Sequence, residues 1–209
     1  MPPKDASKPL ELFVSTVYRA PLGGGKSLVD DLAQAALSLA EDDTAGQQWC
    51  EDNSYLGYTS YASLNDLAWR MPPFKVLAKR LQTHANRFAD LVQWDMGDRA
   101  LVLDSLWVNV LPPDAGHAGH IHPHSVVSGT LYLALDAGAS PLKLEDPRLG
   151  FLMAAPPKRA DANLAQRPFV YLHPTKGEVI LWESWLRHEV PPHRGNEPRI
   201  SVSFNYRWG

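Results

Sequence analysis

From Gly97 onward the sequence reads as short strands separated by proline, glycine and aspartate, and this texture limits the folds open to the chain. Six runs have the β-branched, aromatic or alternating character of strands: Ala100 to Leu111, Ser128 to Leu135, Leu142 to Glu145, Phe169 to Leu172, Glu178 to Trp182 and Arg199 to Trp208. Strands this short and this dense, with little helix between them, indicate an antiparallel sandwich or barrel. Residues 147–168 interrupt the series with a long stretch of little strand pattern. Loops of that length inside a compact domain are often lids or binding loops.

The first half has a different period. Residues 1–9 are polar and proline-rich and read as a disordered or extended arm. Leu12 to Tyr18 reads as a strand, and as an edge it offers pairing across a homodimer. Ser27 can cap a helix whose apolar positions Leu28, Leu32, Ala35, Ala36 and Leu39 fall at helical spacing. Residues 44–61 have no clear period and read as a loop packed by its aromatics. Ser63 to Trp69 reads as a short helix stopped by Pro72-Pro73. The longest helical face follows, through Phe74, Leu77, Leu81, His84, Phe88 and Leu91, with His84 read as packing. The expected class is α+β, mainly β, with helical support over about 26–95 and a β core over about 99–209 in one domain spanning 10–209.

Composition narrows the functions. A chain of 209 residues with 44% apolar content suits one compact domain, and a net charge of −3 gives no footprint for nucleic acid or an anionic membrane. Cys50 is the one cysteine, so no internal disulfide can form, and a reducing, cytoplasmic setting is expected. Cys50 itself reads as inert and partly buried. No segment has the apolar core of a signal peptide or the length of a membrane span.

The chemistry is concentrated in His117-Ala-Gly-His120-Ile-His122-Pro-His124, where four of the eight histidines fall together. In an extended segment, side chains two apart share a face, so His120, His122 and His124 project together. Neutral imidazole is the commonest metal ligand, and convergent imidazoles suggest a metal. Trp182-Glu-Ser-Trp185-Leu-Arg-His188 supplies a remote partner at the end of a later strand. Three protein ligands would leave coordination positions open, as a catalytic metal requires. Residues 189–198 carry turn residues, which puts His188 and Arg199 on either side of one hairpin. In Arg199-Ile-Ser201-Val-Ser203-Phe-Asn205, alternation places Arg199, Ser201, Ser203 and Asn205 on one face. An arginine directed into a sandwich needs an anionic partner, and its planar fork suits a carboxylate. His117, His173 and His193 read as solvated or exposed.

The order His-x-His-Pro-x-Ser-x-x-Ser-Gly-x-x-Tyr-Leu, then Trp-x-x-x-x-x-His, then Arg-Ile-Ser-Val-Ser-Phe-Asn resembles the iron(II)/2-oxoglutarate-dependent oxygenases, in particular their small bacterial and phage branch. Gly57-Tyr-Thr-Ser-Tyr-Ala-Ser-Leu-Asn-Asp-Leu67 is similar to that branch as well, so the likeness runs from about residue 11 onward. The resemblance implies a double-stranded β-helix (jelly roll) with iron(II) at one mouth, held by His120, His122 and His188. It implies that Arg199, assisted by Ser201, binds the distal carboxylate of 2-oxoglutarate, with Tyr132 and Ser128 lining the cosubstrate pocket. The implied reaction couples oxidative decarboxylation of 2-oxoglutarate to hydroxylation of a substrate C–H bond; the substrate is an unidentified small molecule or peptide.

The sequence departs from the family pattern at His122, where most of the superfamily has a carboxylate. Asp114 is the nearest upstream carboxylate and could substitute; a register using His122 and His124 is a further alternative. Two other classes suit the same residues: a three-histidine, cupin-like metalloenzyme that does not use 2-oxoglutarate, and a binding module that keeps a metal for structure.

Overall fold

Alternation along the last strand divides the molecule into an apolar side and a polar side. The computed structural model describes residues 10–209, and the expected N-terminal arm lies outside the described residues. Among the described residues there are ten strands: β1 (Val17–Pro21), β2 (Tyr58–Thr59), β3 (Leu101–Leu111), β4 (His117–His120), β5 (Val127–Ala134), β6 (Leu142–Glu145), β7 (Phe169–Leu172), β8 (Glu178–Glu183), β9 (His188–Val190) and β10 (Arg199–Trp208). Four helices accompany them: α1 (Lys26–Asp42), α2 (Thr44–Asp52), α3 (Leu67–Arg70) and α4 (Pro72–Leu91). The strands form a six-stranded sheet in the order β1-β8-β5-β10-β3-β2 and a four-stranded sheet in the order β4-β9-β6-β7. All their pairings are antiparallel.

Register explains the two faces of the large sheet. Val202 lies opposite Val108 on one side and Leu131 on the other; Phe204 lies opposite Leu106 and Gly129. These residues share one face and join Val29, Leu32, Phe74, Leu77, Leu81 and Phe88 of α1 and α4 in a continuous buried cluster. Each such side chain, fully buried, contributes roughly 1.5–3 kcal/mol to the packing. At Gly129 the packing leaves no room for a side chain, since a Cβ would lie 2.5 Å from Phe204 Cζ.

Two sequence expectations differ from the structure. Residues 44–52 form α2 rather than a loop; Asp43 caps it by accepting from Gly46 N at 3.1 Å, and Gly46 and Cys50 face inward. Its Trp49 and Cys50 are too few apolar positions to display a helical period. The first strand begins at Val17, so Leu12 to Thr16 is not strand, and β1 lies at a sheet edge against β8. Pro72-Pro73 starts a helix as well as ending one. Met71 is extended, as a residue before proline prefers, and the prolines occupy the first turn of α4 where no backbone donor is missed.

Candidate metal centre and anion pocket

Three histidines converge where the two sheets meet. His120 ends β4 and pairs directly with His188 in β9, after an irregularity in register that follows His117. His122 stands beyond the strand, in the turn, with its backbone N–H donating to Ser184 O at 3.0 Å. Convergence of His120 and His122 thus comes from a bulged strand and a pinned turn, not from simple alternation, and His124 is left exposed. One ring nitrogen from each of His120, His122 and His188 lies within 4.8 Å of the others.

Each ring is held from behind. His120 Nδ1 lies 2.7 Å from Ala118 O, and His188 Nδ1 lies 2.9 Å from Leu186 O. A carbonyl only accepts, so these bonds place the proton on Nδ1 and leave the Nε2 lone pair free, as metal-binding histidines require. His122 Nδ1 lies 3.2 Å from the side-chain amide of Asn205. Burial pushes His188 down to about 3 and His122 to about 4, with the neighbouring His120 adding to both. Both are therefore available as neutral ligands at physiological pH.

No carboxylate among the described residues joins this group. Asp114, the substitute considered from sequence, has a positive φ of 66° and pairs with Arg194 at 2.8 Å on the surface. Among the described residues, the side chains that converge here and could hold a metal are therefore all imidazoles.

On the same face of β10, Arg199 is 2% exposed. Its Nη1 donates to Ser201 Oγ at 3.5 Å, its guanidinium stacks 5.0 Å from the Tyr132 ring, and its Nε has no hydrogen-bond partner among the described residues. The Tyr132 hydroxyl is likewise buried without a partner. Burial pushes Arg199 below its ordinary value and Tyr132 above its own. A buried cation lacking a counter-ion is costly, and here it stands beside an unsatisfied hydroxyl. An anion with hydrogen-bond acceptors satisfies both.

The histidines and Arg199 share one cavity of about 50 Å³, bordered also by Trp107, Ser128, Tyr132, Trp182, Ser201 and Asn205. Ser128 reaches it with its hydroxyl already engaged, 2.8 Å from both Ser184 Oγ and Asn205 Oδ1. A larger cavity of about 630 Å³ lies between residues 10–17, Leu144, Val170 and Leu172, and loop residues 146–148 and 164–167. None of the three histidines lines it.

Several placements were not legible beforehand. His188 and Arg199 do not flank a hairpin: β9 belongs to the small sheet and β10 to the large one, so residues 191–198 cross between sheets and the two side chains line one cavity from different sheets. His193 is fully buried, with Nε2 donating to Glu197 O at 2.7 Å and Nδ1 accepting from Ser140 N at 3.4 Å, and it ties three loops together. His117 is not solvated: its Nε2 is hydrogen-bonded to Tyr55 Oη at 2.6 Å, and it lines the histidine cavity. Tyr55 went unassigned because nothing local connects residue 55 to residue 117. His84 is packing, held by Tyr18 Oη at 2.9 Å, and Cys50 is buried.

Residues 105–205 match the family described as "Putative 2OG-Fe(II) oxygenase". No curated protein matches the sequence. A prolyl-4-hydroxylase from Pseudomonas putida superposes with a TM-score of 0.56 at 14% identity, covering 92% of this chain and 93% of that one. HygX from Streptomyces hygroscopicus, solved with nickel and 2-oxoglutarate bound, superposes with a TM-score of 0.60 at 14% identity, over 93% of this chain and 82% of that one. The match to an oxidoreductase of the 2OG-Fe(II) oxygenase family from Burkholderia pseudomallei covers 66% of this chain and 57% of that one, with a TM-score of 0.49 and 17% identity, a likeness too slight to argue from. At these identities the structural likeness establishes the fold, a double-stranded β-helix with helices against its large sheet.

Proposed function

We propose that this chain, whose residues 105–205 match the 2OG-Fe(II) oxygenase family, holds iron(II) through His120, His122 and His188, binds 2-oxoglutarate through Arg199 and oxidises a C–H bond of an unidentified substrate. The observation that carries the reading is Arg199: a fully buried guanidinium, without a carboxylate partner among the described residues, opening on the same cavity as three imidazoles. In this reading Arg199 and Ser201 take the distal carboxylate of 2-oxoglutarate, Tyr132 donates its free hydroxyl to it, and Ser128 forms part of the wall. Iron and 2-oxoglutarate, when bound, supply the activation of oxygen. The protein's own share is to present three lone pairs at one point, neutralise the carboxylate away from water and orient the cosubstrate between the two. Three imidazoles in place of two and a carboxylate leave a bound iron more positive by one charge, which a dianionic cosubstrate beside Arg199 offsets.

The substrate class is open to a small molecule or a peptide, and loop 147–168, which borders the larger cavity, is our candidate for choosing it. A homodimer paired through the free edge of β1 fits the sheet order. No described helix is long and apolar enough to cross a membrane, and a cytoplasmic setting fits a chain with one buried cysteine. Residues 10–209 act as one domain in this reading, since helices and β core share a buried cluster.

The all-imidazole set would also suit a metalloenzyme that does not use 2-oxoglutarate, but such an enzyme would leave Arg199 without a counter-ion. The test is spectroscopic. Iron(II) plus 2-oxoglutarate without oxygen should give a weak visible charge-transfer band. Arg199→Met should weaken 2-oxoglutarate binding roughly 10- to 100-fold, the worth of a charge-assisted contact, while metal binding stays intact. Absence of the band with metal bound and fold intact overturns the proposal.

A further inference from the structure

The three imidazoles differ in what stands behind them. Ala118 O and Leu186 O can only accept, so His120 and His188 have one possible neutral tautomer. His122 faces Asn205, and an amide has a donating end and an accepting end. The two ends of Asn205 are distinguished by their hydrogen-bond surroundings alone.

Those surroundings allow either orientation. One end of the amide lies 2.8 Å from Ser128 Oγ. The other lies 3.3 Å from Ser105 Oγ and 3.2 Å from His122 Nδ1. A hydroxyl donates as readily as it accepts, so turning the amide by half a revolution exchanges the roles of both serines and loses no hydrogen bond. Ser128 Oγ can pass the change on to Ser184 Oγ at 2.8 Å, where either atom can donate. These partners sit in one row across the large sheet, since Asn205 lies opposite Ser105 and Ser128 in register.

His122 needs both orientations. Its Nε2 lies 3.3 Å from His188 Nε2, and two bare lone pairs facing each other at that distance repel. Without a metal, a proton has to stand between them. His188 carries its proton on Nδ1, so the intervening one belongs to His122 Nε2; His122 Nδ1 is then bare and Asn205 must present its N–H. With a metal on Nε2, the neutral ring carries its proton on Nδ1, and Asn205 must present its oxygen.

We propose that Asn205 is a positioning residue whose amide turns over on metal binding, moving His122 from its Nε2–H to its Nδ1–H tautomer between the hydroxyls of Ser105 and Ser128. A carboxylate at position 122 would need no such partner, because it offers lone pairs without relocating a proton. One proton leaves Nε2 for solvent and one arrives at Nδ1, so the ring stays neutral throughout. The proposal rests on the reading of the three histidines as metal ligands.

Zinc(II) is a suitable diamagnetic probe of the full chain, with the histidine nitrogens followed by nitrogen-15 NMR. The expected result is that His120 and His188 keep Nδ1–H with and without zinc, whereas the His122 proton moves from Nε2 to Nδ1. Asn205→Asp, which can only accept when ionised, should keep a proton on His122 Nδ1 with and without zinc and bind zinc at least as tightly as the unchanged protein. Asn205→Leu should bind zinc roughly 10- to 100-fold more weakly, the usual cost of removing a residue that orients a ligand. A His122 already protonated on Nδ1 in the metal-free protein would overturn the proposal, as would equal weakening by the Asp and Leu variants. If zinc perturbs none of the three histidines, the metal-site reading itself fails, an outcome distinct from a bound zinc with an unchanged His122 tautomer.

Discussion

The two faces of β10 pose opposite physical problems. Ile200, Val202, Phe204 and Tyr206 face the helices, where apolar contact dominates and the fold gains its stability, although the Tyr206 hydroxyl is buried there without a partner. Arg199, Ser201, Ser203 and Asn205 face the interior between the sheets, where polar groups are buried and some lack partners. One strand of ten residues therefore carries both the part of the core that holds the molecule together and the part that costs it stability. A buried guanidinium without a counter-ion costs far more than a lone hydroxyl, and retaining it marks a place shaped for something other than folding.

The comparison can be broken most forcefully at Phe204. Its ring is fully buried, meets Tyr206 edge to face at 6.1 Å and lies against Gly129. Phe204→Ala should cost about 3–5 kcal/mol, measured by urea unfolding, because it removes apolar contact and leaves a cavity. Arg199→Met, five residues earlier on the other face, should change stability in the opposite direction. It replaces a buried charge with an apolar side chain of similar length and should raise unfolding stability by about 1–3 kcal/mol in the absence of 2-oxoglutarate. Should Arg199→Met destabilise the protein as Phe204→Ala does, the guanidinium would be part of the folding core and the contrast between faces would collapse.

A pH series sharpens the contrast further, because the interior side holds buried histidines. Burial depresses His117 and His188 to about 3 and His122 to about 4. In the unfolded chain each returns to about 6.5. Between those values the unfolded chain binds protons that the folded chain refuses, so stability is complete above about pH 6.5 and declines as the pH falls toward the folded values. Each histidine contributes a slope of up to about 1.4 kcal/mol per pH unit in that window. Urea midpoints of the metal-free protein at pH 7.5 and 5.5 measure it, and His117→Gln should remove about one histidine's share. Identical midpoints would mean that the interior is wet enough to tolerate the charge.

Which parts of this were legible in sequence follows from how far apart the deciding contacts lie. The period of two along residues 101–111 and 199–208 exposed both strands and put Arg199, Ser201 and Asn205 on the correct common face, because side-chain direction in a strand is local. The α4 stripe was equally plain. Helix α2 escaped because one buried cysteine and a glycine do not make a stripe. His193 and His117 were misread because their burial is decided by chain segments far away: Ser140 and Ala115 around His193, Tyr55 around His117. Asn205 was visible as an inward residue, but its part depends on meeting His122, 83 positions away. The hairpin expected between His188 and Arg199 failed because turn residues signal a reversal without saying which sheet receives the next strand.

The smallest expected effect tests the largest departure from the family pattern. If a carboxylate completes the metal site, Asp114 is the one upstream of the cluster that sequence brings forward, and its removal should be severe. In the structure its side chain is 75% exposed, and its pairing with Arg194, itself 73% exposed, is a surface contact of the kind worth at most about 1 kcal/mol. Asp114→Asn keeps the shape and removes the charge, so metal affinity measured by calorimetry should match the unchanged protein, and stability should shift by less than about 0.5 kcal/mol. His122→Asp is the complementary change, placing a carboxylate where the fold now holds an imidazole; it should retain metal while dispensing with the hydrogen bond from Nδ1 to Asn205. A tenfold loss of affinity in Asp114→Asn would mean that the loop swings inward when metal binds. The interior face of β10 would then be serving a site with two histidines and a carboxylate, and His122 would no longer need a partner that can turn over.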